Sequence, residues 1–493
     1  MISQHFPILQ VVLPLIAAPV IILLRNGRAA WLLATTVSWV SLIIALALLE
    51  QVSAGGVISY AIGSWPPPWG IEYRIDQVNA FLLVLVSLIA AVVSVYSRAS
   101  VDAELPREQH YLFYAMFALC LAGLLGIAAT GDAFNLFVFL EISSLSSYVL
   151  IALGRDRRAL MAAYQYLVMG TIGATFYIIG VGLLYLMTGT LNMADMAHRL
   201  SGVAEVKPVL AALAFITVGI CLKLALFPLH LWLPNAYAYA PSAVTAFLAA
   251  TATKVSVYVL LRFYFSVFGA SAIFLALPMG QILLVLSLAA MFIASTVAIF
   301  QSDIKRMFAY SSVAQIGYIT LGISFDSATG LTAGIVHLFN HALTKGALFM
   351  LLGCFALRLG RVSFSDIGGI ARVMPVTAFG IVLGGLSLIG VPGTVGFVSK
   401  WYLVLAALES GQWWIALAIV LSSLLAVVYV WRFVEVAYFH QPDAKLAKLK
   451  EARLEMLVPA WLMIAACIYF GLDAELTVSG AAQAAATLLQ GVR

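Results

Sequence analysis

Charge is scarce in this 493-residue sequence, of which only 10% is Asp, Glu, Lys or Arg and 63% is hydrophobic. Because a soluble globular domain carries about 25% charged residues, this composition excludes a water-soluble protein. The hydrophobic runs are also far longer than the roughly ten alternating residues of a membrane β-strand. A helical crossing of the bilayer takes about 20 apolar residues. The sequence therefore predicts an all-α polytopic membrane protein.

The sequence also lacks the motifs of cofactor chemistry. Its four cysteines are far apart in apolar stretches and form no Cys-x-x-Cys pair, which argues against iron–sulfur, structural zinc and c-type haem sites. It has no P-loop and no Gly-x-Gly-x-x-Gly after a strand, so nothing indicates nucleotide chemistry. The first seven residues have no basic n-region, which favours a retained helix over a cleaved signal peptide. We expect no cofactor, no metal and no nucleic-acid partner.

Charged residues, glycines and prolines bound fourteen apolar runs, numbered here as spans 1 to 14. They cover residues 7–24, 30–50, 77–97, 110–130, 133–153, 159–189, 208–237, 241–269, 281–300, 307–323, 331–357, 375–408, 413–439 and 455–472. The longest connection, 51–76, contains Trp-Pro-Pro-Pro-Trp at 65–69 and predicts an ordered interfacial loop.

The 26 basic residues are divided unevenly between the two ends of the spans. Seventeen lie in loops after odd-numbered spans or at the end of such a span, and five lie at the opposite ends of the spans. The remaining four are inside spans. Positive charge marks the cytoplasmic side of a membrane protein. We therefore expect a multi-pass protein of a bacterial plasma membrane with both termini on the outer face.

The layout of the spans predicts two inverted repeats, spans 4–8 and 9–13, because each block has an odd number of helices. The fourth span of each block is unusually long and contains a mid-span proline, Pro228 in span 7 and Pro392, followed by Gly393, in span 12. Matched interrupted helices in inverted repeats indicate a transport site, although a simple packing kink is the alternative. Four segments follow: 1–109 with three helices, the repeats 110–269 and 281–439, and 440–493 with a cytoplasmic basic loop, span 14 and a short tail.

Ionisable side chains inside the spans are costly and therefore informative. Glu141 is the only acid in the middle of a span, and Lys223, in the interrupted span 7, is its expected partner. Burial favours the neutral form of both groups, whereas pairing favours their charged forms. A lysine balanced between these effects can take up and release a proton; a static salt bridge is the alternative. Glu435, beside Arg432 near the end of span 13, is expected to form an interfacial ion pair.

Span 11 carries His337, His341 and Lys345 at spacings of four, which places them on one helical face. A His-x3-His pair could bind a metal, but the adjacent lysine and the absence of a nearby acid disfavour this. Core histidines satisfied by hydrogen bonds are the stronger alternative. Neutral imidazoles accept and donate on opposite nitrogens, as a proton relay requires.

Three further residues extend this set. Lys254 lies within span 8, Lys400 is eight residues beyond Pro392, and His230 follows Pro228, where it could cap freed carbonyls or continue the relay. Lysines and histidines with one carboxylate predict a cationic axis through both repeats. Such an axis suits proton relay and is poorly suited to Na+, which needs several oxygen ligands.

The sequence resembles the antiporter-type proton-channel family, which includes large membrane subunits of respiratory complex I, of membrane-bound hydrogenases and of Mrp multisubunit Na+/H+ antiporters. The most specific stretches are 131–141, 223–234, 303–312 and 337–341. The resemblance implies a 14-helix fold with two half-channels and a central hydrophilic axis. It also implies that Glu141 and Lys223 form the coupling pair, that Lys254 is the relay and that Lys400 is the terminal group.

Within the family, the chain is most similar to the D-type members of Mrp antiporters, on stretch 141–148 and its short tail. The M-type member of complex I, in contrast, generally has a Glu at the position of Lys400. The expected function is proton translocation in a multisubunit Na+/H+ antiporter, with other membrane subunits as partners. One alternative is a proton-pumping subunit of M or N type in a redox-driven complex, such as NADH-quinone oxidoreductase or a membrane-bound hydrogenase. The other is a purely structural membrane subunit.

Overall fold

The computed structural model describes residues 2–201, 206–270, 273–274, 277–444 and 446–490. These residues are nearly all helical, with one small sheet. The first half contains α1 (Phe6–Leu24), α2 (Gly27–Gly55), β1 (Ile58–Ala61), β2 (Glu72–Ile75), α3 (Gln77–Glu104), α4 (His110–Ala129), α5 (Ala133–Ala152), α6 (Arg158–Thr188), α7 (Met193–Leu200), α8 (Lys207–Leu224), α9 (Trp232–Tyr239) and α10 (Ser242–Leu261). The second half contains α11 (Met279–Ala289), α12 (Ser295–Ile299), α13 (Ile304–Ser324), α14 (Ala328–Leu359), α15 (Pro375–Ile389), α16 (Val395–Glu409), α17 (Trp413–Val434), α18 (Leu454–Leu472) and α19 (Glu475–Gln490).

Among the described residues, twelve helices are long and apolar enough to cross a bilayer. They coincide with twelve of the fourteen predicted spans. The other two spans are α13, whose Ser, Thr, Tyr and Gln side chains lower its hydropathy, and span 12, which is divided into α15 and α16. The prediction of a polytopic α-helical membrane protein is confirmed.

Two matching β-bridges mark equivalent points in the two repeats. Asp132 caps the first turn of α5 and pairs with Asn192, which follows α6. In the same way, Asp303 caps the first turn of α13 and pairs with Ser363, which follows α14. In each repeat, the residues on either side of the aspartate therefore hydrogen-bond to the chain leaving the third helix.

The two bridges lie at opposite ends of α3, a helix of 28 residues. Gly131, next to Asp132, donates its N–H to the carbonyl of Glu72, just before α3 begins. Asp303 instead lines a cleft with Glu104, the last residue of α3. The repeats are therefore inverted relative to each other, as the odd number of helices requires.

Both interrupted spans end their first half in the same way. Ala225 after α8 and Gly390 after α15 adopt left-handed backbone angles, with φ of 59° and 88°. In each case the next residue donates its N–H to the carbonyl five positions back, which closes the last helical turn. Pro228 and Pro392 then follow and cannot continue the helix. The predicted interruptions of spans 7 and 12 are confirmed.

Two elements outside the spans were not predicted. The interfacial loop contains an antiparallel hairpin in which Ile58 pairs with Ile75. The expected short tail instead folds into α19, which packs on α3 and α14. Its buried face is mostly small, with Ala481, Ala484, Ala485 and Leu488, and its 16 residues are fewer than a typical membrane span contains.

Helix α14 forms the centre of the molecule and positions the site. It contacts α10, α13, α16, α18 and α19, and every residue from Gly330 to Phe355 is buried. Helices α6 and α17, in contrast, expose many apolar side chains. Polar residues of α14 therefore face other helices rather than lipid.

Candidate functional site

A carboxylate–ammonium contact joins α5 to the broken end of α8. The Nζ of Lys223 lies 3.5 Å from Oε1 of Glu141 and donates a hydrogen bond to Oγ of Ser144 at 2.6 Å. That carboxylate oxygen has no hydrogen-bond partner among the described residues. Lys223 is buried, whereas 25% of the Glu141 side chain is exposed. The predicted pairing is confirmed, and its geometry is looser than that of a hydrogen-bonded salt bridge.

Two glycines place Lys223 at this position. A Cβ on Gly219, one turn before Lys223, would lie 2.5 Å from the carbonyl oxygen of Gly173 on α6. The backbones of α6 and α8 can cross this closely because neither residue has a side chain. Lys223 then falls in the last turn of α8, where the negative end of the helix dipole stabilises a cation.

The break after α8 is capped by a side chain that the sequence analysis did not identify. Trp232 donates its indole N–H to the carbonyl of Leu222 at 2.9 Å, so it satisfies a carbonyl freed by the interruption. The ring of His230 instead lies against Phe227 and Tyr310, and its Nδ1 has no partner among the described residues. The cap on the carbonyl of Leu222 is therefore supplied by Trp232 and not by His230.

Lys254 is the next cation and is only 1% exposed. Its Nζ donates to the carbonyl of Ala249 at 2.5 Å and lies 3.4 Å from the hydroxyl of Thr253. No described carboxylate forms a salt bridge with it. Its ammonium is therefore held by neutral oxygen atoms alone.

The two histidines of α14 differ in their surroundings. The ring of His337 lies between Oγ of Ser399, 2.8 Å from Nδ1, and Oε1 of Gln315, 2.9 Å from Nε2. Because a side-chain amide oxygen only accepts, Nε2–H of His337 donates to Gln315. His341 stacks nearly parallel to His337, with ring centroids 6.2 Å apart, and neither of its nitrogens bonds a described residue. His337 is therefore a core histidine whose nitrogens are satisfied by hydrogen bonds, whereas His341 is not.

Lys345 and Lys400 continue the chain on either side of the histidines. Lys345 donates to the carbonyl of Phe308 at 2.7 Å and to Ser311 at 2.5 Å. Lys400 donates at 2.9 Å to the carbonyls of Leu388 and Ile389 in the last turn of α15, and to Ser423. The carbonyls that the break frees at α15 thus bind the ammonium of α16.

Tyr318 connects the end of this chain to its centre. Its ring lies 4.6 Å from the ammonium of Lys400 and 5.4 Å, between centroids, from the ring of His337. Lys400, Tyr318, His337 and His341 therefore form a continuous row of polar and aromatic groups. The ionisable members could be predicted from the sequence, but Tyr318, Gln315 and Ser399 could not. Neutral side chains cost little within a span, so the sequence does not distinguish them from ordinary packing residues.

The predicted Glu435–Arg432 ion pair does not form among the described residues. The guanidinium of Arg432 donates to the carbonyls of Ile299 and Gln301 at 2.6 and 2.7 Å, and Glu435 is exposed. A different pair was missed: Arg262 lies 2.5 Å from Asp76, and both are buried. Burial raises the pKa of Asp76, but the charge and hydrogen bond of Arg262, together with the backbone N–H groups of Val78 and Asn79, outweigh it and hold that pKa below its ordinary value.

Two inverted repeats, a broken helix in each and a buried row of lysines and histidines define a polytopic protein of the membrane transport class. The chain belongs to the family of NADH:quinone oxidoreductase and Mrp antiporter transmembrane subunits, whose model matches residues 130–426. The curated relatives include "NADH-quinone oxidoreductase subunit N" of Desulforudis audaxviator (strain MP104C), 44% identical with 98% of each chain covered. They also include the D-type member of the Na(+)/H(+) antiporter of Bacillus subtilis (strain 168), 30% identical with 99% of this chain and 97% of the relative covered.

Two solved structures share the fold over almost the whole chain. A chain of the Mrp complex from Dietzia sp. DQ12-45-1b matches with a TM-score of 0.90 and 26% identity, covering 99% of this chain and 98% of that one. A chain of the membrane-bound sulfane sulfur reductase, an archaeal respiratory membrane complex, matches with the same TM-score, the same coverage and 29% identity. Both belong to multisubunit membrane complexes, so the similarity indicates membrane partner subunits for this chain.

Proposed function

We propose that this chain translocates protons as the D-type subunit of a multisubunit Na+/H+ antiporter. The contact between Glu141 and Lys223 at the end of a broken helix carries the proposal. With the carboxylate near, Lys223 favours its charged form; with the carboxylate displaced, burial favours the neutral amine. Movement of the pair therefore loads and releases a proton. The proton continues by way of Lys254, His341 and His337 to Lys400.

Na+ does not follow this route in the proposal. The row offers ammonium and imidazole groups, whereas a hard cation needs several oxygen ligands. Protons moving inward down the membrane potential drive Na+ export through other membrane subunits of the complex. We assign His230 and Lys345 to the same proton path.

We further propose that the chain lies in a bacterial plasma membrane with its arginine-rich end in the cytoplasm and both termini outside. Reporter fusions test this orientation. Alkaline phosphatase fused after residue 490 should be active outside the cytoplasm, and a fluorescent protein at that position should stay dark. The opposite result would reverse the orientation.

Antiport in everted vesicles tests the proposed function. The complete complex is expressed in an antiporter-deficient host, and Na+-induced collapse of the pH gradient is measured. Glu141→Ala and Lys223→Ala should each abolish antiport while the complex still assembles, because each removes one half of the coupling pair. Glu435→Ala and Lys207→Ala, exposed residues of the same types, should retain it. Antiport that survives in either of the first two variants would reject the role.

A second candidate is a proton-pumping subunit of a redox-driven complex. The 44% identity to a relative named as a subunit of NADH-quinone oxidoreductase favours it. Neighbouring genes and co-purified subunits decide between the two. Small antiporter subunits, with Na+-dependent proton movement, support the first; quinone- or hydrogen-oxidising subunits, with proton movement that needs a reductant, support the second.

A further inference from the structure

A cleft at the arginine-rich end of the molecule is distinct from the row of buried cations. It lies between α1, α2, α3, α4 and the start of α18, with a volume of about 730 Å³. Five arginines line it: Arg25, Arg28, Arg98, Arg107 and Arg453. Arg25 and Arg28 lie at the turn between α1 and α2, Arg98 and Arg107 lie near the end of α3 and just before α4, and Arg453 precedes α18. The fold, rather than one basic segment, therefore collects them.

None of these five guanidiniums forms a salt bridge in the part of the chain that the structure describes. The single carboxylate of the cleft, Asp102, lies instead 3.4 Å from His110. Five cations facing one another with a single acid repel each other unless an anion joins them. The cleft thus has the charge of an anion-binding site.

The cleft also reaches below the ends of the helices. Arg98 lies on α3 six residues before its last residue, and its guanidinium stacks 4.7 Å from the ring of Trp31. Trp31 is held in turn by a hydrogen bond from its indole N–H to the carbonyl of Ser94 at 3.0 Å. A tryptophan at this depth is typical of the headgroup layer of a membrane.

Exposed apolar side chains are sequence neighbours of the residues that line the cleft. Leu23, 82% exposed, precedes Arg25 by two residues, and Leu454, 74% exposed, follows Arg453 directly. Leu32 is also exposed, one residue after Trp31. Guanidiniums for a phosphate thus adjoin apolar surface for hydrocarbon chains, an arrangement that fits a lipid better than an acidic peptide.

We propose that this cleft binds the phosphate headgroup of an anionic phospholipid. Basic pockets between membrane helices on the cytoplasmic side recognise such headgroups, and guanidiniums bind phosphate oxygens in bidentate fashion. The bound lipid ties the first four helices to α18. This role is independent of the complex to which the chain belongs.

Lipid retention by the purified full-length chain tests the proposal. Native mass spectrometry in detergent compares phosphatidylglycerol with phosphatidylethanolamine, and inorganic phosphate is added as a competitor. The triple variant Arg28→Gln, Arg98→Gln, Arg107→Gln should bind phosphatidylglycerol about a hundredfold more weakly. The control variant Arg157→Gln, Arg361→Gln, Arg372→Gln removes the same charge from exposed arginines that do not line this cleft, and it should bind normally.

Three results would overturn the proposal. Equal phosphatidylglycerol binding by the two triple variants would show that the lipid attaches elsewhere. Displacement of the lipid by millimolar inorganic phosphate would assign the cleft to a free anion. Loss of the bound lipid when the chain assembles with its partner subunits would assign it to an acidic segment of a partner.

Discussion

At the scale of single residues, the three lysines of the site other than Lys223 share one kind of partner. Lys254, Lys345 and Lys400 each donate to backbone carbonyls and hydroxyls, and no described carboxylate pairs with them. Neutral oxygens stabilise an ammonium without leaving an unpaired buried charge when its proton departs. These lysines can therefore change protonation at lower cost than a member of a buried ion pair.

The ionisable residues of this row were predictable, but most of their partners were not. A lysine or histidine within an apolar span is visible from the sequence because its cost in lipid demands a functional or structural reason. Gln315 and Ser399, in contrast, are 22 and 62 positions from His337. Only the packing of α13 and α16 against α14 brings these neutral side chains to the imidazole.

The buried pair of Asp76 and Arg262 gives a prediction at this scale. Asp76→Asn keeps a side chain that can cap α3 but removes the charge beside a buried guanidinium. We expect it to lower the free energy of unfolding by about 3–5 kcal/mol, measured by denaturant titration in detergent. Asp195→Asn, which breaks the partly exposed pair with Arg199, should cost less than about 1 kcal/mol. Equal small losses in both variants would contradict the prediction.

The same pair has a pH signature. The pKa of Asp76 is held below its ordinary value in the folded protein. Its contribution to stability is therefore complete above the ordinary carboxyl pKa of about 4 and is lost as the pH falls through the lowered value. The stability difference between Asp76→Asn and the unchanged chain should accordingly shrink below about pH 4.

At the scale of elements, the two helix breaks use their freed carbonyls differently. The carbonyl of Leu222 in α8 is capped by an indole, whereas the last carbonyls of α15 bind the ammonium of Lys400. The first break is thereby satisfied by an uncharged donor, and the second becomes part of the cation row. Prolines and span lengths predicted both breaks, but not which side chain would fill each.

Gly390→Ala tests the second break. The residue adopts a φ of 88°, and an added Cβ would lie 2.9 Å from Cδ of Lys400. The strained backbone and the displaced lysine should lower transport by roughly tenfold in vesicles. Gly182→Ala is the matched control, because a Cβ there meets nothing within 4 Å. Equal transport in the two variants would indicate that the position of Lys400 is unimportant.

The β1–β2 hairpin and α19 are the elements that could not be predicted from the sequence. Long apolar runs revealed the spans, because hydrophobicity sustained over about 20 residues is rare outside a membrane-spanning helix. The strands β1 and β2 have four residues each, too few for a periodic signal. Helix α19 is short and rich in alanine, so its sequence has no long hydrophobic run. Its burial depends on packing against α3 and α14.

At the scale of the whole molecule, the inverted repeats place the two breaks at related positions, one directly after Lys223 and the other beside the ammonium of Lys400. Glu141 and Lys223 lie in the first repeat, Lys400 in the second, and α14 carries His337 and His341 between them. The odd number of helices in each block and the matched mid-span prolines predicted this architecture. The continuity of the row could not be predicted, because it depends on Tyr318, which contacts both Lys400 and His337.

Proton uptake by proteoliposomes containing the complete complex with Lys400→Met tests the account most directly. Methionine keeps the bulk of the side chain but carries no proton, so the row loses its last ionisable group. We predict that assembly is unchanged and that proton uptake falls at least tenfold, whereas Lys207→Met, at an exposed lysine, leaves uptake intact. Undiminished uptake with Lys400→Met would contradict the account and leave the buried charges as structural contacts between helices.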